Sequence, residues 1–224
     1  MLFRSRPDAD LSHRGVARLL GEFMERLGLH DVTLVLNDWG GGQFLVTEER
    51  GHRVGRLVLV ACEAFDNFPP GPAKAVAQVC RVPGGVRLLT RLMRVPAFRD
   101  NPRGYGGMSL RGIPDEILAE WFGPATRSRA IRRDFAKFAT SAPGRAVLLE
   151  WSERLRDFDR PVLVVWATED RLMPREHGPR LAALLPRGRL VEIADSYTLV
   201  PEDQPAELSA RLRELTAATA WPPP

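Results

Sequence analysis

Residues 32–43 read VTLVLNDWGGGQ and decide how the rest of the chain is interpreted. A run of apolar and β-branched residues ends at Asn37 and Asp38, glycines follow, and a helical pattern begins. This order predicts a buried strand that turns tightly into a helix. A side chain on such a turn projects beside the helix N-terminus, where backbone N–H groups favour negative charge. Asp38 is the projecting group, and a carboxylate attacks carbon without a base to activate it.

The same local sequence is also typical of a plain strand–helix turn. In that interpretation Asp38 caps the following helix and has no chemical role. The choice between the two depends on the rest of the chain.

Composition limits the classes of function. The chain has 224 residues and a formal net charge of +4, which suits one domain with an insertion. Its arginines are scattered among acidic residues, so we expect no nucleic-acid partner. Cys62 and Cys80 have apolar neighbours and neither CxxC nor His-rich spacing, so we expect reduced core thiols, no metal site and no cofactor. The sequence shows no apolar leader and no stretch of about 18 to 20 apolar residues, so we expect no membrane partner and a cytoplasmic location.

Strand and helix patterns divide the chain into a core and an insertion. Continuous apolar runs predict four strands at 32–36, 56–61, 161–167 and 189–193, and such runs are typical of a parallel sheet covered on both faces. We therefore expect an α/β core made of residues 1–62 and 143–224. Between them, residues 63–142 show short helical patterns broken by Pro and Gly, which predicts a helical cap. Amphipathic helices are expected after Ser12 and over about 205–217.

The order of these segments resembles the α/β-hydrolase fold, in which nucleophile, acid and histidine follow one another along the chain. Residues 37–41, NDWGG, are similar to the Asp-Trp-Gly-Gly turn of haloalkane dehalogenases and epoxide hydrolases. The resemblance implies Asp38 as nucleophile, Trp39 as the residue that stabilises the leaving group, and Asp170 as the acid. It implies Asp66 as an alternative acid, with Glu63 nearby.

The chain departs from this family in its last loop. The family's pattern there is Asp-Ser-Gly-His, whereas residues 195–198 read DSYT, so Thr198 stands at the position of the catalytic histidine. Four histidines exist, and by sequence context all lie at helix starts or in turns. His13 is expected to face solvent or to cap its helix, and His177 is expected to have no rescue role.

A second departure lies at the front of the chain. The family places several strands and a His-Gly loop before the helix that precedes the nucleophile, and the chain begins at that helix, so we expect an N-terminally truncated hydrolase fold with about four strands. The nucleophile strand would then be an exposed edge, through which an oligomer could form.

Three aromatic residues suggest further roles. Epoxide hydrolases use cap tyrosines to protonate the epoxide oxygen, and this cap has one, Tyr105, which weakens that interpretation. Trp121 or Trp151 is a candidate second halide-binding group, although a core role is favoured for both.

Two functions remain open from the sequence. The first is a hydrolase with an Asp nucleophile acting on a small apolar haloalkane, epoxide or ester-like substrate, impaired because Thr198 replaces the base. The second is a non-catalytic member of the same fold that binds a small ligand or a partner. A serine esterase using Ser196 is disfavoured, because Ser196 lies in the late loop and not on a strand–helix turn.

Overall fold

The computed structural model describes residues 5–38 and 51–217. Its centre is a four-stranded, wholly parallel sheet in the order β1-β2-β3-β4, so each strand lies beside the next along the chain. The strands are β1 (Val32–Asp38), β2 (Val54–Cys62), β3 (Val162–Ala167) and β4 (Gly188–Ile193). All four predicted strands are thus confirmed, with ends that differ by no more than two residues.

Helices surround this sheet and fill the segment between β2 and β3. Three short 3₁₀ helices also occur among the described residues, at Gly51–Arg53, Tyr105–Gly107 and Leu155–Asp157. The α-helices are α1 (His13–Arg26), α2 (Gly71–Arg81), α3 (Gly85–Leu92), α4 (Pro96–Arg99), α5 (Asp115–Arg127), α6 (Arg129–Ala139), α7 (Arg145–Arg154), α8 (His177–Leu184), α9 (Val200–Asp203) and α10 (Pro205–Ala217).

The two central strands carry the core. Every residue of β3 is buried, and in β2 the run from Leu57 to Ala61 has no exposed surface. Continuous burial requires layers on both faces of the sheet, which explains the unbroken apolar runs in the sequence. Helix α8 supplies part of one layer, since it packs on β3 and β4. A Cβ atom at Gly178 would lie 2.7 Å from the Trp166 side chain, so glycine permits that close approach.

The start of α1 agrees with the sequence at its cap and disagrees at its first residue. Ser12 is the N-cap and accepts a hydrogen bond from Gly15 N–H at 3.0 Å. The prediction that His13 faces solvent or caps the helix is wrong, because His13 is 1% exposed. Its ring lies 4.4 Å from the Phe138 ring and 4.9 Å from the Phe68 ring, between centroids. Aromatic residues distant in the sequence bury this imidazole.

Residues 63–142 form helices α2 to α6 and their connections. The short, Pro- and Gly-interrupted helices predicted there are present. The division of the chain into a core and a cap stays a prediction.

Strand β1 lies at one edge of the described sheet, with β2 as its neighbour. Val35 in this strand is 41% exposed, in contrast to the fully buried residues of β2. Oligomer formation through this edge stays a prediction. In the described part of the chain, none of the helices combines the length and apolarity needed to cross a membrane.

Candidate active site

The carboxyl ends of the parallel strands bring the predicted site residues to one edge of the sheet. Asp38 is the last residue of β1, and Asp170 and Thr198 lie in the loops that follow β3 and β4. Asp38 has φ +60°, a left-handed conformation that non-glycine residues rarely adopt. Its carbonyl oxygen accepts a hydrogen bond from Glu63 N–H at 3.0 Å, which ties the end of β1 to the end of β2. Asp38 itself therefore has the strained backbone conformation expected of a projecting nucleophile, and the residues of the turn after it lie outside the described ranges.

Asp170 and Thr198 are joined directly. Thr198 Oγ1 donates a hydrogen bond to Asp170 Oδ1 at 2.9 Å, and the Thr198 residue has no exposed surface. The same Oδ1 accepts from Leu172 N–H at 2.8 Å and Met173 N–H at 2.9 Å, which makes Asp170 a turn former as well. The structure thus brings the predicted acid to Thr198, the residue predicted to stand at the position of the histidine.

The second oxygen of Asp170 has a different environment. Asp170 Oδ2 is buried and has no hydrogen-bond partner among the residues that the structure describes. Burial raises the pKa of Asp170 above its usual range, against the lowering effect of the hydrogen bonds from Met173, Leu172 and Thr198. An unpartnered buried carboxylate oxygen is costly, and functional sites are where such costs concentrate.

Asn37 connects β1 to the loop that carries Thr198. Its Nδ2 donates to the Thr198 carbonyl oxygen at 2.8 Å and to the Val60 carbonyl oxygen at 2.9 Å. One amide group thereby holds β1, β2 and the loop after β4 together. Asn37 fixes the backbone of Thr198, whereas Asp170 fixes its hydroxyl group.

Tyr105 approaches the same edge from the segment predicted to be a cap. Burial raises the pKa of Tyr105 well above its usual range, and the negative charges of Asp38 and Glu202 raise it further. The phenol ring lies edge-on to the rings of Phe122 and Trp121, with centroid distances of 5.2 and 6.3 Å. Tyr105 therefore keeps its proton at neutral pH, so that its phenol group is able to donate a hydrogen bond.

A cavity of about 350 Å³ adjoins Tyr105. Its wall includes Ser109, Ile113 and Leu118, together with Arg99 and Arg111. Arg99 is already paired with Asp100 and Asp115, at 2.7 and 2.9 Å. The cavity is large enough for a small organic molecule.

The remaining candidates lie elsewhere or have other contacts. Asp66 forms an ion pair with Arg145 at 2.9 Å and is not joined to Asp170 or Thr198. That ion-paired hydrogen bond lowers the pKa of Asp66. Trp151 is 4% exposed and belongs to the core, as favoured from the sequence, whereas Trp121 is 37% exposed and contacts Tyr105. Trp39 and the helix predicted after it lie outside the described residues.

All four histidines lie within the described residues, and none of them bonds to Asp170. His177 begins α8 and packs edge-on against Phe65, with 5.1 Å between ring centroids. Burial lowers the pKa of His177. The partners of Asp170 at this edge are thus two backbone N–H groups and a hydroxyl, with no imidazole.

Metal ligands are not grouped in the part of the chain that the structure describes. Within 5–38 and 51–217, no three His, Cys, Asp or Glu side chains are arranged to hold an ion. Cys62 and Cys80 are both buried.

The sequence alone predicted no role for Asn37 or Asp203. It also did not predict that Tyr105 would be influenced by the charge of Asp38. Asn37 is next to the predicted nucleophile, and a polar residue ending a buried strand is a usable signal for a specific partner. Asp203 resembles an ordinary acidic residue near a helix start, so nothing local distinguishes it. The position of Tyr105 depends on how residues 63–142 fold, and the local sequence pattern does not determine that.

Comparison with known proteins assigns the family. Residues 3–211 match the pattern described as Alpha/beta hydrolase family. The chain belongs to the alpha/beta hydrolase family. Its four parallel strands with flanking helices form the part of the alpha/beta hydrolase fold that carries Asp38, Asp170 and Thr198.

Individual relatives of this alpha/beta hydrolase are distant. The uncharacterized hydrolase YugF from Bacillus subtilis is 30% identical over 104 residues, which cover 46% of this chain and 37% of the relative. Haloalkane dehalogenase 2 from Mycobacterium tuberculosis is 25% identical over 218 residues, which cover 88% of this chain and 68% of the relative. The chain therefore spans about a third of the first relative's length and about two thirds of the second's.

Solved structures agree on the fold. A mutant of the haloalkane dehalogenase DatA from Agrobacterium tumefaciens superposes with a TM-score of 0.73 at 18% identity. The superposition covers 96% of this chain and 76% of that one. At this identity the similarity establishes the alpha/beta hydrolase fold alone and does not identify a substrate.

Proposed function

We propose that this alpha/beta hydrolase takes a small apolar electrophile with a reactive sp³ carbon, such as a haloalkane or an epoxide, onto Asp38 as a covalent ester that it hydrolyses very slowly. The observation that carries the proposal is the 2.9 Å hydrogen bond from Thr198 Oγ1 to Asp170 Oδ1. In the resembled enzymes an imidazole occupies this position and activates water. Here the acid is bound to a hydroxyl group instead.

The first step needs only groups that the chain provides. An Asp38 oxygen attacks the electrophilic carbon, a C–O bond forms, and the bond to the leaving group breaks with its electron pair on the leaving group. A halide departs as an anion. An epoxide oxygen stays attached to the product and needs a hydrogen-bond donor, for which the protonated phenol of Tyr105 is the candidate. The negative charge of Asp38 acts on the phenol of Tyr105 and raises its pKa, which supports epoxides more strongly than the sequence alone does.

The second step lacks a base. Hydrolysis of the ester requires water to attack the side-chain carbonyl carbon, Cγ, of Asp38 while a base removes a proton from the water. The bond from Cγ to the alkyl oxygen then breaks, the alcohol leaves with a proton, and the Asp38 carboxylate is restored. The Thr198 hydroxyl is not basic near neutrality, and its proton is already directed at Asp170. Loss of such a base costs on the order of 10⁴- to 10⁶-fold in turnover. The ester is therefore expected to accumulate.

Intact-protein mass spectrometry tests the proposal. The protein is incubated with 1-bromohexane and, separately, with styrene oxide. The mass expected to be added on Asp38 is that of a hexyl group less one hydrogen in the first case and that of the whole epoxide in the second. The Asp38→Asn variant is expected to show no adduct. Asparagine tolerates the left-handed backbone of this position, so the variant keeps the turn.

The matched control is Asp31→Asn. Asp31 has φ +50°, lies just before β1 and pairs with Arg56 at the surface. It is therefore an aspartate with the same left-handed backbone conformation as Asp38, but outside the candidate site. This variant is expected to label like the parent. Absence of an adduct across a broad panel of haloalkanes and epoxides would favour the non-catalytic binding protein.

A further inference from the structure

We propose that Asp203 is a positioning residue, which seats the 105–111 loop, and with it Tyr105, against the Asp38 edge of the sheet. The 105–111 loop denotes the segment from Tyr105 to Arg111. Asp203 is the last residue of α9 and has no exposed surface. The consequence of this seating for catalysis rests on the proposed function, whereas the seating itself does not.

The hydrogen bonds of Asp203 join two segments that are far apart in the sequence. Its Oδ1 accepts from Ser109 Oγ at 2.7 Å and from Arg111 N–H at 3.1 Å. Its Oδ2 accepts from Leu110 N–H at 2.9 Å and from Tyr197 N–H at 2.9 Å. Three donors thus come from the 105–111 loop, and the fourth comes from the residue next to Thr198.

A carboxylate suits this position because both oxygens receive two donors each. The hydrogen bonds lower the pKa of Asp203 although burial acts in the opposite direction, so the group is ionised at neutral pH. Charge-assisted hydrogen bonds are about twice as strong as neutral ones. An amide in the same place would direct N–H groups at backbone N–H groups.

The rest of the loop continues this attachment towards Tyr105. Leu199 N–H donates to the Met108 carbonyl oxygen at 2.8 Å, one residue beyond the 3₁₀ turn that Tyr105 begins. A Cβ atom at Gly106 would lie 2.3 Å from the Asp100 carbonyl oxygen, so the turn itself is tight. The loop has little freedom between Tyr105 and the residues that Asp203 holds. Release of Asp203 is therefore expected to move Tyr105 away from Asp38 and Glu202.

Ionisation of the phenol reports this movement without any substrate. The experiment uses the full chain with Tyr197→Phe, so that Tyr105 is the remaining tyrosine, and follows absorbance near about 295 nm while the pH is raised to about 11. With Asp203 in place, Tyr105 is expected to stay protonated over this range. With Asp203→Asn added, Tyr105 is expected to titrate near about pH 10, the ordinary value for tyrosine.

Ser109→Ala is a milder variant, which is included in case Asp203→Asn does not fold. Ser109→Ala removes one of the four donors and leaves three, so a smaller shift in the same direction is expected. Circular dichroism at each pH identifies the range in which each variant is folded. Glu207→Gln is the control, since Glu207 pairs with Arg211 on the surface of α10 and should leave the titration of Tyr105 unchanged. Unchanged protonation of Tyr105 in both folded Asp203→Asn and Ser109→Ala would overturn the proposal.

Labelling kinetics then separate the positioning role from general stability. Tyr105→Phe is expected to lower the saturating rate of labelling by styrene oxide about 10²-fold, the effect of losing one donor to a developing oxyanion. Asp203→Asn should lower it at least about tenfold, and the double variant should lose no more than Tyr105→Phe alone. Independent, multiplying losses would contradict positioning through Tyr105. If the parent never labels, the proposed function fails while the phenol titration still decides the role of Asp203.

Discussion

Thr198 Oγ1 donates its hydrogen bond to Asp170 Oδ1 over 2.9 Å, so the loop after β4 presents a hydroxyl group to the buried carboxylate after β3. The backbone around this pair is held from two further sides, by Asn37 and by Asp203. The Thr198 hydroxyl group is therefore held in place where the proposed mechanism needs a base. The following expectations depend on that arrangement.

Thr198→His should restore hydrolysis of the Asp38 ester. The imidazole would take over the hydrogen bond to Asp170 and provide a base near neutrality, which contributes about 10²- to 10⁴-fold. The measurement is release of alcohol or diol product under multiple-turnover conditions, with loss of the adduct seen in the parent.

The control for size is Thr198→Gln. Glutamine also enlarges this fully buried position but is not a base, so no product release is expected. Equal gains in both variants would mean that space, and not proton transfer, limits the parent.

Asp170→Asn should stabilise the protein at neutral pH by about 1 kcal/mol. The pKa of Asp170 is raised in the folded state, so its contribution to stability is fully present below the unfolded value of about 3.9 and is lost as pH rises through the folded value. At pH 7 the buried charge therefore opposes folding. Urea unfolding at about pH 7 measures the change.

Asp203→Asn should have the opposite effect. The pKa of Asp203 is lowered, so its contribution is present above the unfolded value and is lost as pH falls through the folded value. Two of its backbone donors would face an amide N–H group, and we expect a loss of about 2 to 4 kcal/mol at neutral pH. If the free energy of unfolding changed in the same direction in Asp170→Asn and in Asp203→Asn, the two carboxylates would differ less than their hydrogen bonds indicate.

Asn37→Ala should lower the free energy of unfolding by about 1 to 3 kcal/mol, because two carbonyl oxygens lose a donor. Amide hydrogen exchange around residues 195–199 should also accelerate, since Asn37 holds the Thr198 carbonyl. The control is Asn101→Ala, at an exposed residue whose side chain accepts only a local hydrogen bond from Arg103 N–H. A similar loss of unfolding free energy in both variants would argue against a specific role for the hydrogen bonds of Asn37.

The stability of the protein should fall as pH drops below about 6.5, the ordinary pKa of histidine. Burial lowers the pKa of His13 and of His177 in the folded state, so unfolding allows both rings to take up protons in acid. His13→Phe should flatten this dependence, because its ring packs against Phe68 and Phe138. Melting temperatures between about pH 5 and pH 8 give the comparison, with exposed His30→Gln as the control; an unchanged slope in His13→Phe would reject the explanation.

The sequence predicted the elements of the sheet well because their signals are local. The apolar run of β2 reflects burial on both faces, and the amphipathic pattern of α10 begins and ends at the predicted Pro205 and Ala217. The position of Thr198 after β4 follows from the same regularity. Each of these features depends on residues within a few positions of one another.

The contacts that complete the site are not local. Asn37 and Thr198 are separated by 161 positions, and Ser109 and Asp203 by 94. His13 is hidden by phenylalanines from other segments, although its own neighbours suggest an exposed helix start. Such contacts depend on how the helices between β2 and β3 return to the sheet, and short helical patterns do not determine that path.

The φ angle of +60° at Asp38 limits which residues could replace it over evolution. Glycine adopts this conformation freely, asparagine tolerates it, and valine or isoleucine would be strained there. In a library of all substitutions at position 38, selection for abundance alone should enrich glycine, whereas selection for covalent capture should retain aspartate. The two rankings would show directly how much folding free energy the chain gives up to keep a carboxylate at this turn.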